Sequence, residues 1–186
     1  MRPSVIASFL LIAAAFTCSR PPVDFREWML SQMEFNRAAT DHLLDELEKT
    51  GKADEALAWR AGTNRAPLGW QLMHLAASED RQATRLGAQS LISEKYAEDF
   101  KSGKPAVSFI PKLPYVRQYL KDSRASLQKA IRDFDMSKMD QKVPETDNTF
   151  RKLFQIILWH EPHHQGQAHA TFNLFKAANG LMDEQK

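Results

Sequence analysis

The chain has 186 residues, of which 43% are hydrophobic and 26% are charged, a composition typical of one globular domain rather than a disordered chain. Its 25 basic and 23 acidic residues leave a formal charge of +2, which argues against the broad basic surface of a nucleic-acid-binding protein. The single cysteine excludes an internal disulfide and any multi-cysteine zinc or iron–sulfur site.

The first residues have the layout of a secretory signal peptide. Arg2 supplies a positive charge, and an apolar run over 5–16 follows it, with small residues near its end. This run is shorter than the roughly 20 residues that a membrane-spanning helix needs. We therefore expect a signal peptide over 1–17, a linker over 18–23 and an exported protein. The alternative is a buried first helix in a cytoplasmic protein.

Cys18 lies directly after the apolar run, where a bacterial lipoprotein carries its lipid-modified cysteine. Thr17 departs from that motif, which has Gly or Ala before the cysteine. Two outcomes therefore stay open: plain cleavage of the leader, or lipid attachment to Cys18 as the first mature residue. The second outcome would tether the protein to a membrane.

The rest of the chain has apolar residues at helical spacing, and no stretch has the alternation of a strand. The first helix is expected to end near Gly51, the second to begin at Pro67, and the last to stop at Asn179 and Gly180. The second helix is apolar almost all round, so we expect it to be buried. The patterns predict four long helices, over 24–49, 67–77, 116–134 and 149–178.

The segment 87–114 is less regular, and its glycines and prolines indicate a long connection with a short helix near 91–100. Four long helices with one extended crossover predict an all-α fold, a four-helix bundle over 24–180 with a short tail over 181–186. Bundles of this kind build metal sites from side chains on facing helices.

Two histidines interrupt the core-facing stripe of the last helix. They lie four residues apart on one face, with Cβ atoms roughly 5–6 Å apart, a spacing at which two imidazoles can bind one metal ion. The alternative is a pair of hydrogen-bonded core or surface histidines. His163 and His169 are out of phase with the stripe, which consists of Leu153, Ile157, His160, His164, Gln167, Thr171 and Leu174.

A third metal ligand would distinguish these alternatives. His74 is the first candidate because it lies in the most apolar helix, where an unpaired polar group costs free energy. His42 is the reserve, although Asp41 and Asp45 beside it indicate a solvated face. Three imidazoles suit a divalent cation, with zinc or nickel favoured and copper or iron as alternatives.

The segment from His160 to His164 also matches the H-E-x-x-H motif of zinc proteases, in which Glu161 would be the general base. Pro162 argues against this interpretation, since an interior proline costs about 3 kcal/mol and should kink the helix. A downstream ligand is also poorly placed, because His169 is out of phase. Glu161 is rotated by roughly 100° from His160, so it either acts as a base or faces solvent.

Two segments resemble the DinB/YfiT-like family: 70–76 around His74, and 160–167, which reads His-Glu-Pro-His-His-Gln-Gly-Gln. The resemblance covers 25–180. It implies a four-helix bundle that binds a divalent metal through His74, His160 and His164, and it implies a homodimer, since many relatives are dimeric. Pro162 is unusual between the paired histidines of the family.

The resemblance implies more than one function. Some relatives transfer a low-molecular-weight thiol to electrophiles, others are mycothiol-dependent isomerases, and many have no assigned reaction. Three histidines leave a coordination position where water or a thiol becomes more acidic. We expect a metal-dependent hydrolase or transferase with an unknown small-molecule substrate. A thiol-dependent S-transferase is an alternative that export disfavours, because such thiols are cytosolic, and a non-catalytic helical binding protein is another.

Overall fold

A computed structural model of the chain describes residues 24–91, 94–103 and 109–182, and within these ranges it contains helices and no β-strand. The predicted signal peptide, Cys18 and the linker 18–23 lie outside the described residues. A single 3₁₀ turn, Met136–Lys138, precedes the last helix of the described part. The α-helices are α1 (Phe25–Lys49), α2 (Ala53–Ala58), α3 (Leu68–Arg85), α4 (Glu94–Asp99), α5 (Leu113–Asp133) and α6 (Phe150–Ala178).

The prediction of an all-α fold is confirmed for the residues that the structure describes, and the four long helices lie where the periodicity placed them. Helix α3 continues to Arg85, beyond the apolar stretch that predicted it. Its polar continuation is buried as well, since Glu79 and Asp80 are 3% and 2% exposed. Helix α2 was not predicted, because six residues are too short to establish a period.

Local sequence determines where the helices begin and end. The side chain of Asp24 accepts a hydrogen bond from the Arg26 amide at 2.8 Å before α1, and Thr149 accepts one from the Lys152 amide before α6. Gly51 and Gly180 follow the ends of α1 and α6 with φ of +65°, a conformation that glycine adopts without strain. The expected stops at these two glycines are therefore present.

The four long helices pack in a closed ring. Helix α3 contacts α5 and α6, and α1 contacts the same two helices from the other side. Residues 68–80 of α3 are all buried, as the apolar character of this helix predicts. None of the described helices combines the length and the apolarity needed to cross a membrane. The contact between α3 and α6 is the one that brings the candidate metal ligands together.

Candidate metal centre

The structure places His74 of α3 beside His160 and His164 of α6. One ring nitrogen from each histidine lies within 4.8 Å of the other two. The ring centroids are 5.1 Å apart for His74 and His160, 4.6 Å for His74 and His164, and 4.4 Å for the α6 pair. This separation makes the three rings candidates to share one ion, to which imidazoles bind at about 2.0–2.1 Å when it is zinc.

His74 is held in place from two directions. Its Nδ1 lies 2.7 Å from the carbonyl oxygen of Phe100, the residue after α4. The indole of Trp70 stacks on its ring at 5.0 Å with an interplanar angle of 4°. The Trp70 indole in turn donates a hydrogen bond to the Asp99 carbonyl at 3.2 Å. With Nδ1 engaged by a carbonyl, Nε2 of His74 carries the free lone pair that a metal requires.

The two α6 histidines differ in their partners. Nδ1 of His164 lies 3.1 Å from Oε1 of Gln167, so its other nitrogen is also available. Nδ1 of His160 is buried and has no hydrogen-bond partner among the described residues. A buried polar nitrogen without a partner costs free energy, and a cation bound within the cluster would remove that cost. The donor set therefore fits a divalent metal ion.

The electrostatic environment keeps these imidazoles neutral. Burial lowers the pKa of His74 below its ordinary value. Burial, reinforced by the neighbouring imidazoles, lowers the pKa of His160 to about 4 and that of His164 to about 3. All three rings are consequently neutral near pH 7, which is the form that binds a metal.

The remaining histidines of α1 and α6 lie outside the cluster. His42 is exposed on α1, as its acidic neighbours predict. His163 is exposed and stacks on Trp159, with ring centroids 4.4 Å apart. His169 is half-buried further along α6. The assignment of His74, His160 and His164 as metal ligands stays a prediction that the geometry makes specific.

Pro162 lies inside α6 without ending it. The helix is continuous from Phe150 to Ala178, and the proline ring is on its exposed face. His160 and His164, which flank the proline, still have ring centroids 4.4 Å apart. The proline therefore does not separate the paired histidines.

Glu161 does not face solvent, so that expectation was wrong, and its contacts argue against the alternative role as a base. It is 3% exposed. Its carboxylate accepts hydrogen bonds from Arg37 Nε at 2.8 Å, from Thr40 Oγ1 at 2.9 Å and from Arg124. Burial raises the pKa of Glu161, and the two guanidinium groups oppose that shift. A carboxylate held in this way is not available as the general base of an H-E-x-x-H protease.

Glu161 belongs to a buried ion cluster of two arginines and two glutamates. Glu79 accepts from Arg37 Nη2 at 2.8 Å and also pairs with Arg124. Each long helix contributes one residue of this ion cluster: Arg37 from α1, Glu79 from α3, Arg124 from α5 and Glu161 from α6. The ion cluster thus fixes α6 at the position next to His160.

A cavity of about 330 Å³ opens at the three histidines, which form part of its wall. Structural zinc sites usually have four protein ligands, whereas catalytic sites have three and leave a position for water or substrate. The group of possible metal ligands found among the described residues has three members. This group lies at the wall of a cavity and is not enclosed by protein on every side.

An all-α bundle with a three-histidine cluster between two of its long helices defines the class of this protein. The family model of the DinB superfamily matches residues 32–168, a range that includes all three histidines. The chain belongs to the DinB superfamily. The match is narrower than the 25–180 expected from the sequence, since it begins within α1 and ends before α6 does. The sequence has no significant match among curated proteins.

Proposed function

We propose that the protein binds one divalent metal ion through His74, His160 and His164 and catalyses hydrolysis or group transfer on a small molecule. The observation that carries this proposal is the approach of three neutral imidazole ligands to within 4.8 Å of one another at the wall of a cavity. The buried, unpartnered Nδ1 of His160 supports it, and so does membership of the DinB superfamily.

The roles of the protein's own groups follow from the contacts. The Phe100 carbonyl orients the ring of His74, and the Gln167 side chain orients that of His164. Burial lowers the pKa of all three histidines and keeps their rings neutral. A divalent ion bound there would supply Lewis-acid chemistry, lowering the pKa of a water or thiol at its open position. Zinc and nickel are the favoured ions, because both bind imidazole well.

The metal content of purified protein tests the site. Wild type, His74→Ala, His160→Ala and His164→Ala are stripped with EDTA, offered zinc or nickel, desalted and measured by elemental analysis. We expect one ion per chain in wild type and loss of the ion in each of the three variants. His42→Ala removes an exposed histidine and is expected to keep the ion. Wild-type protein that retains no ion, or variants that bind as tightly as wild type, would contradict the proposal.

A second measurement separates an enzyme from a non-catalytic metal protein. Cobalt(II) substituted at the site gives a visible spectrum that responds when an external ligand enters the coordination sphere. We expect azide or a small thiol to change this spectrum, because the histidines line an open cavity. A spectrum that neither ligand changes would favour a closed, structural site.

We also propose that the protein acts outside the cytoplasm, behind a leader over 1–17. The support is the sequence alone, namely Arg2, the apolar run over 5–16 and the cysteine that follows it. Cell fractionation and mass spectrometry of the mature N-terminus test this proposal. A lipidated N-terminal Cys18 is expected for a lipoprotein and is lost in Cys18→Ser. A cytoplasmic chain that keeps its leader would contradict export.

A further inference from the structure

One face of α3 forms a wall of the cavity beside the histidines. His74, Ser78, Arg81 and Arg85 follow one another at steps of four, three and four residues, so they share a face of the helix. All four line the cavity. Side chains on a helix lean towards its N-terminus, which directs the arginines back towards His74. Two guanidinium groups therefore extend along the same wall that carries a candidate metal ligand.

Neither arginine is directly paired with a carboxylate of a described residue, although Glu98 and Asp80 are near enough to Arg81 to attract it electrostatically. Within the described ranges neither Arg81 nor Arg85 forms a salt bridge, and the cavity lining contains no carboxylate. The Arg81 guanidinium reaches the Ala97 carbonyl with a long contact of 3.4 Å. Burial and the nearby charge of Arg85 lower the pKa of Arg81, and Tyr119, Glu98 and Asp80 oppose that shift. The described lining of the cavity thus carries two positively charged side chains and no negatively charged one.

The nearest acidic side chain on α3 is already engaged elsewhere. Asp80 accepts hydrogen bonds from the Ser90 hydroxyl at 2.8 Å and from the Leu91 amide at 2.9 Å. The Tyr119 hydroxyl approaches the same carboxylate at 3.5 Å. Asp80 therefore anchors the segment after α3 and does not line the cavity.

Besides the histidines, α6 contributes an indole and an aliphatic side chain to the cavity lining. Trp159 is 58% exposed at the cavity, with His163 stacked on it and Ile156 nearby. A large exposed indole is a favourable surface for the planar or apolar part of a ligand. The cavity volume of about 330 Å³ suits a small organic molecule.

We infer that this cavity binds a small organic anion, whose carboxylate or phosphate group is held by Arg81 and Arg85 and whose apolar part lies against Trp159. The catalytic meaning of this inference rests on the proposed function, in which the bound molecule would present its reacting group to the histidine cluster. Guanidinium groups form charge-assisted, often bidentate hydrogen bonds with both kinds of oxyanion. An anion would also offset the repulsion between two neighbouring guanidinium groups and a divalent ion.

Binding of phenyl phosphate, phenylacetate and benzyl alcohol by titration calorimetry tests the inference. Phenyl phosphate and phenylacetate distinguish a phosphate from a carboxylate ligand, and benzyl alcohol is the neutral control. We expect one or both anions to bind more tightly than the alcohol. We also expect Arg81→Met and Arg85→Met each to weaken that binding by about tenfold, or about 1.4 kcal/mol. Arg81→Lys keeps the charge and should retain more affinity than Arg81→Met.

Arg132→Met is the matched control, because Arg132 is exposed on α5 and does not line the cavity. Circular dichroism establishes that each variant is folded. Wild type that binds neither anion, that prefers the alcohol, or that binds no better than the Arg81→Met, Arg85→Met double variant would overturn the inference.

Measuring each titration with zinc-loaded and with EDTA-treated protein separates this inference from the proposed function. Arginine-dependent anion binding by a protein that retains no metal would sustain the inference and contradict the metal site. Stoichiometric metal binding would support the metal site. If the anion affinity were then independent of both arginines, the inference would be contradicted.

Discussion

The Nε atom of Arg37 lies 2.8 Å from Oε1 of Glu161, although 124 residues separate the two in the chain. Both side chains are almost fully buried, at 7% and 3% exposure. Glu79 and Arg124 complete a set of two positive and two negative groups, one from each long helix. Removing one member would leave a buried charge without its partner, which is far more costly than losing an exposed ion pair.

Replacing Glu161 by alanine is expected to lower the free energy of unfolding by about 3–5 kcal/mol, because Arg37 and Arg124 both lose an acceptor. Glu161→Gln should lose less, since the amide keeps the shape and an acceptor for Thr40. Urea denaturation followed by circular dichroism measures both changes.

Glu48→Ala provides the comparison for Glu161→Ala. Glu48 forms an exposed ion pair with Arg117 at 3.1 Å, and removing such a pair costs about 0.2–1 kcal/mol. A loss in Glu161→Ala no larger than that in Glu48→Ala would mean that the buried ion cluster does not stabilise the bundle.

Gln167 is expected to tune the metal affinity of His164, whose Nδ1 lies 3.1 Å from the Gln167 Oε1 atom. Gln167→Ala frees the ring to rotate, and the loss of such an orienting partner typically weakens metal binding by about 10–100-fold. Competition with a chromophoric chelator measures the zinc affinity. Gln155→Ala is the control, since Gln155 is exposed on the same helix away from the cluster. Equal affinities in the two variants would contradict this role.

The parts of this structure that the sequence predicted are local. The spacing of apolar residues established the four long helices, and the interval of four residues between His160 and His164 placed both on one face of α6. The proximity of His74 depends on how α3 packs against α6. It remained a hypothesis at the level of sequence, because periodicity says which face is buried but not what it faces.

Sequence reasoning missed the partners of Glu161 and His74 for two different reasons. Glu161 is satisfied by Arg37 and Arg124, which come from other helices. A signal did exist, because Arg124 lies between Leu120 and Leu127 on the buried face of α5. The acceptor for His74 is the backbone carbonyl of Phe100, a group that every residue carries and that no sequence pattern marks.

Pro162→Ala is expected to stabilise the protein without disturbing the metal site. Proline has no amide hydrogen, so the helical hydrogen bond to the Leu158 carbonyl is missing, although α6 continues through this position. Alanine restores that bond on an exposed face, which should raise the free energy of unfolding by about 1–3 kcal/mol.

Urea denaturation measures the effect of Pro162→Ala on stability, and elemental analysis should still find one zinc per chain. A variant that loses stability or metal would instead indicate that the proline imposes a backbone geometry that the site requires.

Two glycines in long helices are expected to respond to alanine with opposite signs. A Cβ atom at Gly69 would lie 2.2 Å from Cγ2 of Ile110 and 3.1 Å from the backbone oxygen of Leu57. The bundle must shift to admit it, so Gly69→Ala should lower the free energy of unfolding by about 1–3 kcal/mol. Chemical denaturation measures this loss.

Gly166 is the matched site, because it lies in α6 and a Cβ atom there would meet nothing within 4 Å. Alanine at an open helical position removes the entropic penalty of glycine, so Gly166→Ala should raise the free energy of unfolding by about 0.5–1 kcal/mol. The same denaturation experiment tests it, with Gly69→Ala measured alongside. A gain in stability for Gly69→Ala would contradict the packing of α3 against α2 and Ile110. A loss of stability for Gly166→Ala would contradict the open surface of α6 beside Gln167.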